Sequence, residues 1–135
     1  MTPERDVGPS PFDQLVGTEW LSDDPDGAKA RVEVRDELKQ PIGLVHGGVL
    51  STMVESVCSR ATALAVFDAG MAAMGQSLHV TFLRPITAGT IEVSAVARHR
   101  GRTTWVWDAE VNDAEGRVCA LARMTIAVRP LPEGA

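Results

Sequence analysis

No run of about eighteen apolar residues occurs in the 135-residue chain, which argues against a membrane-spanning helix. The opening Met1-Thr2-Pro3-Glu4-Arg5-Asp6 has neither a basic segment nor an apolar one, so it does not read as a signal peptide. Cysteine is scarce. Cys58 and Cys119 are the only two, and both stand in apolar periodic segments. They read as free buried thiols in a reducing compartment, with a disulfide between them as the alternative, and the cytoplasm is the expected location. Positive charge is also short: 13 Lys and Arg against 18 Asp and Glu leave a net charge of −5, which argues against a nucleic-acid partner. The three histidines, His46, His79 and His99, show no metal-ligand spacing and no cysteine pair joins them, so no metal is expected. No internal repeat is visible. What remains is a chain of 44% hydrophobic residues, long enough for one domain with a real core.

The most informative stretch is Gln40-Pro41-Ile42-Gly43-Leu44-Val45-His46-Gly47-Gly48, which runs directly into an apolar periodic segment. Apolar residues at 49, 50, 53, 54, 57, 61 and 64 have a helical period. The stretch is thus a Gly-rich turn feeding the start of the one long helix. A helix start carries free N–H groups and a partial positive charge, so it can hold an oxygen that is gaining negative charge. Gly47 and Gly48 lack a Cβ, which lets a ligand approach that backbone. Glu55 lies one helical turn from Ser51 and one from Ser59, with Thr62 further along the same stripe. A stripe like this is commonly a helix's wet face. Here it is made of small Ser and Thr, which suit close packing, and a single carboxylate on such a face is a candidate base or nucleophile.

Pro- and charge-rich residues 1–10 read as a disordered tail, 11–129 as one domain and 130–135 as a second tail. Within the domain, residues 11–17 form a short helix with Pro at its start and Gly at its end. Residues 18–21 and 28–34 form a hairpin across the turn Ser22-Asp23-Asp24-Pro25-Asp26-Gly27. The long helix spans His46 to Asp68, closed by Ala69-Gly70. Strands follow over 72–83, 90–98, 103–111 and 117–128, with turns at 86–89, 99–102 and 112–116. The fold class is α+β: a curved antiparallel sheet of about six strands wrapped round one central helix. Such a sheet has free edges, which proteins often cover with a second subunit.

The Gln40…His46-Gly47-Gly48 run with Glu55 nine positions after the His resembles the hotdog-fold acyl-CoA thioesterases. The likeness is greatest to the branch acting on aromatic acyl-CoA, which includes 4-hydroxybenzoyl-CoA, 1,4-dihydroxy-2-naphthoyl-CoA, enterobactin-proofreading and phenylacetate-pathway thioesterases. Arg84-Pro85…Gly89, His99-Arg100-Gly101-Arg102…Trp107 and Gly116-Arg117-Val118-Cys119 extend it over roughly residues 12–128. The resemblance implies a thioesterase that needs no cofactor, coenzyme A being part of its substrate. It implies that Glu55 is nucleophile or general base, that the Gly47 N–H polarises the carbonyl, and that Ser59 helps place the water. It also puts Gln40 and His46 around the thioester. One feature departs from the pattern. The enterobactin-type enzymes carry a His just before the Arg-Pro pair, where this chain has Thr81-Phe82-Leu83.

Gly47 and Glu55 are about 12 Å apart along one helix at 1.5 Å per residue, too far to reach one thioester carbon together. Two antiparallel helices across a two-fold axis can do so. A homodimer with shared active sites follows, and pairs of dimers forming a tetramer are compatible with it. Arg84, Arg100 and Arg102, beside Arg98 and His99, are candidate partners for the phosphates of coenzyme A, with Gly48 beside the substrate; the alternative for the arginines is a solvated hairpin tip. Trp105 and Trp107 share one sheet face and read as core or subunit packing, with an acyl-pocket wall as the alternative. Met53, Met71, Met74 and Met124 read as gap-filling core. Two other readings compete: an acyl-thioester hydratase or dehydratase, and a non-catalytic acyl-CoA-binding module.

Overall fold

The computed structural model describes residues 10–132; of the expected tails at 1–10 and 130–135, residues 1–9 and 133–135 lie outside the described residues. Helix α1 spans Pro11–Val16, strands β1 and β2 span Glu19–Ser22 and Ala28–Glu33, and the long helix α2 spans Gly47–Val66. Strands β3 (Met71–Phe82), β4 (Thr90–Arg100), β5 (Thr104–Asn112) and β6 (Val118–Pro130) follow. All six strands form one antiparallel sheet in the order β1-β2-β4-β5-β6-β3. The sheet wraps α2, as the sequence predicts for this fold class.

The alternating strands put one face inward. Ala28, Ala30 and Val32 on β2, Ile91, Val93 and Ala95 on β4, and Trp105, Trp107, Ala109 and Val111 on β5 are all buried. They meet Leu50, Met53, Val54, Val57, Cys58 and Ala61 of α2 in one core. Each fully buried Val, Leu, Ile or Met contributes roughly 1.5–3 kcal/mol from lost water contact. By length and composition Gly47–Ala69 is apolar enough to cross a bilayer, although small polar residues interrupt its apolar run. In the fold that apolar side faces the sheet.

Local chemistry sets the ends. The Ser10 side chain accepts from the Asp13 N–H and caps α1, so Ser10 belongs to the helix and not to a tail. Gly17 closes α1 at φ 88°, a left-handed conformation suited to Gly. Ser56 of α2 donates to Asp13 at 2.7 Å, and Arg35 donates to the carbonyls of Leu15 and Val16, so α1 is docked at both ends.

Four details differ from the sequence reading. β4 continues through His99 and Arg100, past a bulge between Ala97 and His99, so the turn is shorter than residues 99–102. β6 reaches Pro130, which pairs with Met71. Met74 is exposed because β3 lies at the sheet edge, whereas Met53 and Met124 are buried as expected. Thr62 is fully buried and not on an open stripe: its hydroxyl donates to the Cys58 carbonyl and accepts from the Trp107 indole N–H, both at 2.8 Å. Helical period alone placed it beside Glu55, but the sheet closes over that side further along α2.

Candidate active site

The start of α2 is built by His46. Its imidazole Nδ1 accepts the Gly48 N–H at 2.9 Å, so Nδ1 carries no proton and Nε2 does. The Val49 N–H is taken by the His46 carbonyl at 2.9 Å, and the His46 N–H by the Leu38 carbonyl at 2.8 Å. Among the described residues no acceptor meets the Gly47 N–H, so the first turn keeps one open donor.

The two glycines have distinct reasons to lack a side chain. A Cβ at Gly48 would lie 2.9 Å from His46 Nδ1, so Gly48 makes room for the capping ring. A Cβ at Gly47 would lie 3.0 Å from Phe82 Cζ and 3.1 Å from Cε1. The sequence reading assigned this space to an approaching ligand. The fold fills it with the tip of a ring from the end of β3.

Glu55 is exposed two turns further along α2, on the side the sheet leaves open. Across from it, β3 has a bulge between Gly75 and Ser77. A Cβ at Gly75 would lie 2.8 Å from Met124 Cε and 3.3 Å from Glu55 Oε1, so this strand glycine lets the carboxylate lie close to the backbone. On its other side Glu55 borders a groove of about 470 Å³, lined also by Phe12, Trp20, Thr52, Ser56, Ser59 and Arg60. A second groove of about 530 Å³ joins it at Phe12 and Thr52 and ends at His46, Gly48 and Val49. The two grooves form one trough along the uncovered face of α2. Gly48, His46, Glu55 and Ser59 all line it.

The remaining candidates are spread out. The Gln40 side-chain oxygen accepts the Ile42 N–H at 2.6 Å, so that oxygen stabilises the turn ahead of α2. Arg84 follows the Phe82 end of β3, near the start of α2. Arg100 pairs with Trp105, Trp105 with Ile126, and Ile126 with Gly75. Arg100 is therefore in register with Gly75, the strand residue beside Glu55, but three strands away, about 14 Å along the sheet at 4.8 Å per strand. Within one protomer Arg84 and the hairpin cations do not make one patch. Arg98 is bound to Asp108 at 3.4 Å, and Arg100 to Asp26 and over the Trp105 ring. Arg102 is exposed at the hairpin tip.

Cys58 is not a rival nucleophile. Burial pushes its thiol far up, so it stays protonated, and burial likewise raises Cys119. Sequence reasoning missed Phe82 and Gly75 as parts of the site. Both carried a signal: Phe82 continues the inward alternation of Leu78 and Val80, and Gly75 interrupts a strand.

Comparison with known proteins gives this geometry a family. Residues 42–120 match the model of the Thioesterase superfamily. A crystallised single-site mutant of thioesterase PA1618 from Pseudomonas aeruginosa superposes with a TM-score of 0.85 at 32% identity, over 89% of this chain and 86% of that one. The proofreading thioesterase EntH of Klebsiella pneumoniae is 32% identical over 100 residues, 74% of this chain and 72% of that protein. A 1,4-dihydroxy-2-naphthoyl-CoA hydrolase of Listeria monocytogenes is 28% identical over 116 residues, 86% of this chain and 94% of that protein. The chain belongs to the Thioesterase superfamily, has the hotdog fold, and is a thioester hydrolase.

Proposed function

We propose that this chain is an acyl-CoA thioesterase that releases a free acid and CoA from aromatic or medium-chain acyl-CoA, working as a homodimer. The observation that carries this reading is the pairing of one open N–H, at Gly47, with one exposed carboxylate, at Glu55, on the uncovered face of the same helix. A thioester is already activated. It needs a donor where negative charge develops on oxygen and a carboxylate that attacks the carbon or deprotonates water. In either route one water is consumed, the C–S bond breaks, and the sulfur leaves to become the CoA thiol.

The two groups are about 12 Å apart along α2. β3 offers a reason to expect the second chain: it is twelve residues long, lies at the sheet edge beside Glu55, and carries neither Lys nor Pro to discourage strand pairing. Pairing two such edges about a two-fold axis sets the two α2 helices antiparallel. Gly47 of one protomer then approaches Glu55 of the partner subunit, giving two sites per dimer. His46 and Gln40 form the polar border of each site, Ser59 helps hold the water, and Gly48 borders the acyl group. Arg84, Arg100 and Arg102 supply cations for the phosphates of CoA from different edges of the dimer. The aromatic preference is supported by the Listeria relative, a hydrolase of 1,4-dihydroxy-2-naphthoyl-CoA.

The test is thiol release from benzoyl-, hydroxybenzoyl-, phenylacetyl- and octanoyl-CoA, with acetyl-CoA as the reference. Catalytic release of CoA is expected with at least one aromatic thioester, and kcat/KM is expected to exceed that for acetyl-CoA by at least tenfold. Equal, background-level release from every thioester would contradict the proposal.

A further inference from the structure

We infer that Phe82 is a positioning residue of the thioester site: its ring closes one side of the Gly47 N–H, excludes water there and fixes the side from which a carbonyl oxygen can reach it. The inference rests on the proposed role of the Gly47 N–H. Phe82 is 53% exposed, unusual for a phenylalanine, although it ends the inward-facing row of β3. Its ring tip nevertheless rests on Gly47, where Cζ, Cε1 and Cε2 would lie 3.0, 3.1 and 3.5 Å from an added Cβ. No other residue's heavy atoms are among those three nearest contacts. The contact therefore couples the far end of β3 to the one open donor of α2.

The physical consequence is directional. Next along the chain from Gly47, His46 is folded onto Gly48, and both border the trough with Val49 and Thr52. With the β3 side occupied by the ring, the approach left to a carbonyl in this reading is from the side where Gly48 and His46 border the trough. A donor screened from water on one side is worth more to a developing oxyanion than the same donor in bulk solvent. Gly47 then lacks a side chain for the sake of this ring, and not to admit substrate directly.

Four variants test this: Phe82→Leu, Phe82→Ala, Gly47→Ala and the double variant Gly47→Ala/Phe82→Ala. Each is measured for kcat and KM on the best aromatic thioester after its thermal unfolding shows a folded protein. Phe82→Leu keeps an apolar cover and is expected within about threefold of wild type. Phe82→Ala is expected to lower kcat about tenfold or more with KM changed less than about threefold, a fraction of the 10²–10³ that removal of such a donor costs. Gly47→Ala is expected to lose about a hundredfold or more through collision with the ring, and the double variant to recover at least tenfold of that loss. Unchanged kcat in Phe82→Ala, or a double variant no more active than Gly47→Ala, overturns the inference. If these results occur while Glu55→Gln abolishes turnover, the thioesterase reading of the site stands without Phe82. If Glu55→Gln is fully active, that reading itself fails.

Discussion

Glu55→Gln is expected to lower kcat for thioester hydrolysis by about 10²–10⁴, the range for loss of a positioned acid or base. Glutamine keeps the size and shape of the side chain but can neither accept a proton from water nor attack a carbonyl carbon. The carboxylate is exposed at the trough and is not part of the buried core, so stability should move by less than about 0.5 kcal/mol. Activity and stability thus separate cleanly in this variant. Steady-state thiol release and a thermal melt on the same preparation check it. A large stability loss would mean the carboxylate holds the fold. A folded variant with full kcat would mean that the reaction does not pass through it.

Trp107→Ala is expected to have the opposite profile. The indole is fully buried between the sheet and α2, and its N–H donates to Thr62, which in turn donates to the Cys58 carbonyl. Truncation removes a large apolar surface and the indole donor to the buried Thr62 hydroxyl, at a cost of about 3–5 kcal/mol. A domain of this size has about 5–15 kcal/mol in total, so the melting temperature should fall by roughly 10–20 °C. Thr62→Val separates the two contributions. It keeps the shape and leaves the indole N–H unpaired, which costs about 1–3 kcal/mol. Thr62→Ser restores the hydroxyl and should recover most of that loss. Calorimetric melts give both values. A Trp107→Ala protein with unchanged stability would place the ring in a pocket wall and not in the core.

Much of this fold was legible because its signals are local. Ala28–Val34, Thr90–Ala97 and the Trp105–Trp107 segment alternate residue by residue, and the apolar positions of α2 repeat at a helical period, so each element announces its own buried face. Gly70 closes the end of that helical segment as expected, at φ 74°. The strand order is not local. Nothing within β3 states that it lies beside β6, nor that β2 lies beside β4, and both follow from how the sheet closes on the helix.

The same distinction explains the site. Gly47, Gly48, His46 and Glu55 stand close together in sequence and could be read as a group. Phe82 and Gly75 enter it only because β3 runs alongside α2. The exposed Met74 and the buried Thr62 were misplaced for this reason: a periodic pattern tells which residues share a side, but not how far the neighbouring element extends over it. The hairpin arginines likewise looked like a patch in sequence. In the fold Arg98 and Arg100 are already matched to Asp108 and Asp26.

The central claim is that each active site takes its N–H from one chain and its carboxylate from the other. Mixing subunits tests it most directly. Glu55→Gln and Gly47→Ala proteins, each inactive alone, are unfolded together, refolded, and assayed for thiol release after native mass spectrometry has verified the mixed dimers. In a mixed dimer one site combines Gly47 from the first chain with Glu55 from the second, while the other site carries both defects. Random pairing makes half the dimers mixed with one intact site each, so roughly a quarter of wild-type activity should return. Mixed dimers no more active than either parent would show that both groups act within a single chain, contradicting the account.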